Sequence, residues 1–114
     1  MYRVTKRDGS ITEFHIAKIG NAITRAFEAV GRQQHPSVIE LLALRVTAEF
    51  EPKIRNELIS VEDIQDCVER VLSEAGYSDV AKAYILYRKQ REKLRNVGST
   101  LLNYKELVNN YLRI

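Results

Sequence analysis

Lys6 and Arg7 stand side by side ahead of Asp8 and Gly9 in the stretch "VTKRDGS", residues 4–10. Arg offers a planar fork for bidentate contact with phosphate, and Lys a flexible point charge. Two cations at the lip of a tight turn are therefore a candidate clamp for a strongly negative ligand. A second cationic run spans residues 82–95, where Lys82, Arg88, Lys89, Arg91, Lys93 and Arg95 face Glu92 alone. Each of these residues also has a plain structural use, because cations suit a helix C-terminus and long basic stems cover apolar surface. The run as a whole gains meaning if its helix packs beside the first helix and brings it toward Lys6 and Arg7. Lys18, near the first turn of that first helix, would join such a pocket, and the exposed amides of a helix N-terminus attract anions.

Other chemistry finds little support. Neither G-x-x-x-x-G-K-[ST] nor G-x-G-x-x-G occurs, so a nucleotide site must be built differently from the common phosphate loops. His15 and His35 are remote from one another, and nothing has the spacing of a metal site. His35, before Pro36, reads as a loop residue. His15, between strand and helix, reads as an N-cap, a core-edge residue or a pocket liner. Cys67 is the one cysteine and lies in an apolar register, which excludes an internal disulfide and reads as a small buried hydrophobe. No nucleophile–base pair is readable, so the chain by itself is expected to be no enzyme.

The elements that must position these residues follow from periodicity. "YRVT" and "SITEF" flank "KRDG", and Asp-Gly predicts a hairpin with a type I′ turn, both central residues at φ > 0. Ile16, Ile19, Ile23, Phe27 and Val30 predict an amphipathic helix over 16–30, stopped by Gly31. A second helix starts near Pro36 and ends before Pro52. "NELIS", residues 56–60, is a short extended connector able to add a third strand. Ser60 is the expected N-cap of a third helix, with Asp63 three residues on and Ile59 and Ile64 as a hydrophobic staple. Gly76 ends that helix, Ser78 is the expected cap of a fourth over 79–96, and Gly98 and Ser99 break it. Leu101, Tyr104, Leu107, Val108 and Tyr111 repeat at helical spacing and predict a fifth helix.

At 114 residues, 45% hydrophobic and 29% charged, the chain suits one compact domain with a genuine core. The expected class is mainly α: a four-helix bundle capped by a small β-sheet, with an extra C-terminal helix. Residues 1–96 form the domain, and 97–114 form a hinge and a helix leading toward a further domain. Lys and Arg number 18 against 15 Asp and Glu, a net charge of +3, which is too mild for a nucleic-acid surface. No apolar run reaches the length of a membrane span and no signal-peptide core is present, so a cytoplasmic protein without a membrane partner is expected.

Three stretches, "VTKRDGSITEFHIAKIGNAI", "LISVEDIQDCVERVL" and "AKAYILYRKQREKLR", bring V-x-K-R-D-G, I-x-x-x-I and A-x-x-Y-x-x-Y-R together in order. Over roughly residues 3–95 the chain resembles the ATP-cone, the allosteric nucleotide-binding domain of ribonucleotide reductases. It looks most like the N-terminus of the anaerobic, glycyl-radical ribonucleoside-triphosphate reductases. The resemblance implies a four-helix bundle under a small sheet, with ATP or dATP, accompanied by Mg²⁺, bound between hairpin and bundle. It implies that Val4, Lys6 and Arg7 close over base and phosphates. Lys18 and Lys89 would contact phosphates with Arg88 beside them, and His15 would stand where the family often places a polar ribose- or phosphate-contacting side chain. Val61 and Gln65 occupy positions where some members carry Thr and His, a departure that bears on the contacts there and on the number of nucleotides per cone.

What the resemblance implies is regulation: effector binding, a catalytic domain of a parent reductase as partner, and nucleotide-dependent oligomerisation. Two alternatives use the same features. One is the cone of a transcriptional repressor of reductase genes, in which a four-cysteine zinc ribbon precedes the cone. A lone Cys67 and a cone opening close to Met1 set the expectation against it. The other is a helical interaction module with an incidental basic turn.

Overall fold

Residues 2–92 are described by the computed structural model. Their organising feature is a three-stranded sheet of order β2-β1-β3, with β1 at Arg3–Thr5, β2 at Ile11–Glu13 and β3 at Leu58–Ser60. β1 pairs antiparallel with β2, Val4 opposite Thr12, and parallel with β3, Val4 opposite Ile59. Strand side chains alternate between faces, so this register puts Val4 and Ile59 together on the core side and leaves Ile11 outside. Val4 and Ile59 are buried, and Ile11 is exposed.

Beneath the sheet lie α1 at Ile16–Ala29, α2 at Pro36–Phe50, α3 at Val61–Glu74 and a fourth helix, α4, described over residues 78–92. The mainly α bundle with a small sheet is thus the architecture expected from periodicity, and "NELIS" does supply the third strand. The expected hinge and fifth helix at 97–114 lie outside the described residues.

Ile23, Phe27, Val46, Phe50, Val68, Val71, Leu72 and Val80 form the centre of one core, each at most 1% exposed. α1 buries Ile19, Ile23 and Phe27 of its predicted stripe and leaves Ile16 exposed at the helix start, and α3 buries Ile64, Val68, Val71 and Leu72 with Cys67 among them. Burial pushes the Cys67 thiol up, as it does the Tyr84 phenol. α2 differs: it is apolar around most of its circumference, and Leu41 and Leu44 face outward.

Termini follow the predicted chemistry closely. The Ser60 side chain accepts from the Asp63 amide at 3.1 Å, and the staple residues Ile59 and Ile64 are both buried. α1 and α3 each end in a Schellman motif. Arg32 N donates to Phe27 O and Gly31 N to Glu28 O at one end, and Tyr77 N to Leu72 O and Gly76 N to Ser73 O at the other. Gly31 and Gly76 take the positive φ that this closure requires. α2 begins with Pro36 in its first turn, and His35 is its N-cap, its Nδ1 accepting from Ser37 N at 3.1 Å. α4 starts one residue earlier than expected. The Tyr77 carbonyl accepts from Ala81 N, which makes Tyr77 the cap and puts Ser78 inside the helix.

The turn type is the clearest departure from expectation. Between β1 and β2 only Gly9 has positive φ, at 87°, and Asp8 does not. Lys6 O accepts from Gly9 N and Ser10 O from Lys6 N, the pattern of a three-residue hairpin loop closed by a left-handed glycine. The Asp8 carboxylate accepts from Ser10 N at 2.9 Å and from Ser10 Oγ at 2.6 Å. That local lock favours the turn found over the I′ form. Two consecutive positive φ values occur instead at Asn56 (53°) and Glu57 (63°), between Arg55 and Leu58, which exchange backbone hydrogen bonds. An I′-like turn therefore introduces β3, where no glycine announces it.

Candidate functional site

The hairpin turn separates its two cations. Lys6 is exposed, whereas the Arg7 side chain is only 23% exposed because it folds back onto the bundle. Asp8 stays local: hydrogen bonds from the Ser10 hydroxyl and then the Ser10 amide hold its carboxyl below the usual value.

Arg7 engages all three of its guanidinium nitrogens. Nη2 donates to Gln65 Oε1 at 3.3 Å, Nη1 lies 3.1 Å from Glu92 Oε2, and Nε lies 3.8 Å from Glu62 Oε1. Glu62 and Gln65 come from the first turns of α3, whose start is set by the Ser60 cap, and Glu92 comes from α4. One side chain of the hairpin thus joins the sheet, α3 and α4. The two ends of the sequence do converge, as the basic runs suggested, and an intervening carboxylate mediates the meeting.

Arg88 is more deeply set, 18% exposed, and its Nη1 contacts Asp66 Oδ1 and Glu69 Oε1, each at 2.9 Å. Burial works against its charge, and the hydrogen bonds to Asp66 and Glu69 outweigh it, holding the guanidinium above its usual pKa. Arg88 therefore cross-links α4 to α3. Lys89 is exposed on α4, and Lys18 is exposed on the first turn of α1. Neither they nor Lys6 has a carboxylate within ion-pair distance among the described residues. Val61 is half-buried beside Gln65 on α3, and Val4 is buried beneath the hairpin.

The N-terminus of α1 is open. His15 is its N-cap residue with no side-chain hydrogen bond to the helix, and no acidic residue stands in the first turn. Its ring is exposed and lies 3.9 Å from Glu13. His15, Ile16 and Ala17 line a concavity of about 430 Å³ together with Tyr2 and Phe14. Tyr2 and Phe14 pack with Phe50, at centroid distances of 4.9 to 5.8 Å. An apolar hollow beside uncapped helix amides can hold a planar apolar group next to an anionic one.

Residue reading missed the acidic partners. Glu62, Gln65, Asp66 and Glu69 fall at helical spacing on one face of α3, and that spacing is the signal that would have predicted a polar stripe able to hold Arg7 and Arg88. A further cluster also went unread. Arg25 of α1 and Arg91 of α4 both donate to the Tyr87 hydroxyl, at 2.8 and 2.9 Å. The hydrogen bond from Arg91, helped by that from Arg25, outweighs burial and pulls the Tyr87 phenol below its usual pKa.

Among the described residues no group of three or more His, Cys, Asp or Glu could hold a metal ion, and no helix is long and apolar enough to cross a membrane. The chain is 40% identical over 99 residues to a vitamin B12-dependent ribonucleoside-diphosphate reductase of Mycobacterium tuberculosis, covering 87% of this chain and 14% of that protein. It is 39% identical over 98 residues to a ribonucleoside-diphosphate reductase subunit alpha of Chlamydia pneumoniae, covering 81% and 9%. It is 37% identical over 100 residues to an anaerobic ribonucleoside-triphosphate reductase of Haemophilus influenzae, covering 88% and 14%. The likeness is shared almost evenly among three kinds of reductase, and the chain spans only about a seventh of the longest-covered relatives. The model of the ATP cone domain family matches residues 2–93, most of the chain and all of the fold described above. This chain belongs to the ATP cone domain family.

Proposed function

We propose that the chain is the adenine-nucleotide-sensing regulatory domain of a ribonucleotide reductase, binding ATP or dATP and passing its occupancy to a catalytic domain through changes in assembly. The observation that carries the reading is the reach of Arg7 from the hairpin turn to α3 and α4. It sets the cationic hairpin turn against the helices that hold Gln65, Arg88 and Lys89, which is what a clamp on a triphosphate needs. In this reading Lys6 and Lys18 add flexible positive charge, and Val4, Val61 and His15 are assigned to the base and ribose. Mg²⁺ enters as the companion of the triphosphate, with phosphate oxygens and water as its ligands, since Asp66 and Glu69 are committed to Arg88.

The domain does no chemistry of its own in this reading. A coupling of about 1–3 kcal/mol between the site and the quaternary state is enough for a useful switch. ATP and dATP differ by one hydroxyl, so a difference in their effect requires a contact or packing change at the ribose. Thermal unfolding with ATP, dATP and GTP, each with Mg²⁺, tests the proposal. A ligand at a hundred times its Kd stabilises by about 2.7 kcal/mol, so both adenine nucleotides should raise Tm by several degrees and GTP should not. Equal shifts with all three, or none, would overturn the adenine-nucleotide assignment.

A further inference from the structure

We propose that Glu92 is a built-in competitor for Arg7, a carboxylate that an incoming polyphosphate must displace, so that site occupancy is communicated directly to α4. The inference rests on the nucleotide reading for its ligand, and on this chain's own contacts for its mechanism. Arg7 has no idle nitrogen: Nη2 is on Gln65, Nη1 on Glu92 and Nε on Glu62. A phosphate gripping this guanidinium in a bidentate fashion competes with the carboxylates already beside it for its N–H groups and its charge.

Glu92 is the partner to go. Gln65 is neutral and can stay beside an anion by turning its amide N–H toward it. Glu62 stands in the first turn of α3, where its charge is favoured by the helix dipole whatever Arg7 does. Its 3.8 Å separation from Nε is also the longest of the three contacts. Glu92 makes the shorter ion pair, 3.1 Å, from a side chain that is 55% exposed and returns to water at little cost. It is also the one acid among residues 80–92, which carry Lys82, Arg88, Lys89 and Arg91. Its departure both clears Arg7 and leaves that stretch of helix with net positive potential facing the polyphosphate.

The consequence is a mechanical one. With Glu92 on Arg7, the hairpin and the far part of α4 are tied; with phosphate on Arg7, the tie is cut while Arg88 continues to hold α4 to α3 through Asp66 and Glu69. Effector binding therefore changes the freedom of α4 beyond Arg88, the direction in which the chain continues.

Two measurements on the full chain test this in Glu92→Gln, with Glu74→Gln at the other end of α3 as a control for loss of one negative charge. Hydrogen exchange without ligand should quicken at the hairpin amides of Lys6 and Gly9 in Glu92→Gln only. Calorimetric titrations with ATP and with inorganic tripolyphosphate should both tighten about two- to fivefold, the range expected for removing one exposed competing ion pair. Unchanged exchange with unchanged affinities, weaker binding by Glu92→Gln, or equal tightening in the control would each overturn the competitor role. Tighter tripolyphosphate binding without any response to ATP would uphold the competitor and sink the nucleotide reading. ATP binding of equal strength in wild type and Glu92→Gln would do the reverse.

Discussion

Arg7 in the hairpin turn and Gln65 on α3 are 58 positions apart in sequence, yet Arg7 Nη2 donates to Gln65 Oε1 at 3.3 Å. This contact ties the hairpin turn to the bundle. The hairpin itself is held to the bundle by Val4 in the core and by Tyr2 and Phe14 against Phe50. Its tip extends beyond that support and depends on Arg7.

Replacing Arg7 by Met keeps an apolar stem while removing the contacts to Gln65, Glu62 and Glu92. The expected loss of stability is about 0.5–1.5 kcal/mol, because the pairs are partly exposed. Hydrogen exchange should locate that loss in the hairpin tip, with α3 core amides changed only by the global destabilisation. An equal increase in exchange at the hairpin and along α3 would show that Arg7 supports the whole bundle instead.

Arg88→Met should cost more than Arg7→Met, about 1–3 kcal/mol in urea unfolding. It leaves Asp66 and Glu69 near each other without the cation that both share at 2.9 Å. Adding Asp66→Asn to Arg88→Met should then recover part of the loss. A double variant less stable than the single one by the full cost of a second independent mutation would rule out the shared-cation account.

Glu57→Gly should stabilise the protein. Glu57 holds φ at 63° without the freedom of glycine, and the substitution creates Asn-Gly in the I′-like turn before β3. Relief of the left-handed strain, less the added entropy of glycine in the unfolded chain, gives about 0.5–1 kcal/mol. Chemical denaturation reads this directly, and a destabilised Glu57→Gly would mean that the Glu57 side chain contributes more than its backbone costs.

Asp8 predicts an acid-sensitive turn. Its folded pKa is lowered, first by the Ser10 hydroxyl and then by the Ser10 amide. The stabilisation it provides is therefore present above the ordinary carboxylate value of 3.8 and is lost as pH falls through the lower folded value. An NMR titration should place the Asp8 carboxyl below its ordinary value of 3.8, and Ser10→Ala should move it back up. An Asp8 titration insensitive to Ser10→Ala would contradict the lock.

Much of this fold could be read from residue pattern because the decisive signals are local. Ser60 with Asp63, the Ile59–Ile64 staple, Gly31 and Gly76 all act within one turn of a helix end, and each acts as read. Pairing between β1 and β3 had no such signal, since nothing in "RVT" or "LIS" names a partner more than fifty residues away. α2 could not be oriented either: with Leu41 and Leu44 as apolar as Leu42 and Val46, only tertiary packing decides which face is inside. At the site, the cations were visible as residue types, but their partners were not. Glu62, Asp66 and Glu69 look like an ordinary solvated helix face until Arg7 and Arg88 are placed over them.

The most direct test of the central claim is a calorimetric titration of ATP with Mg²⁺ into the wild-type chain and into a Lys6→Ala, Arg7→Ala double variant. Saturable heat is expected in the wild type. The variant should bind at least about 100-fold more weakly, since each charge-assisted contact contributes about 1.5–3 kcal/mol. Equal affinity in the two proteins would contradict the role given to the hairpin cations, and no heat in the wild type at millimolar ATP would contradict the site itself.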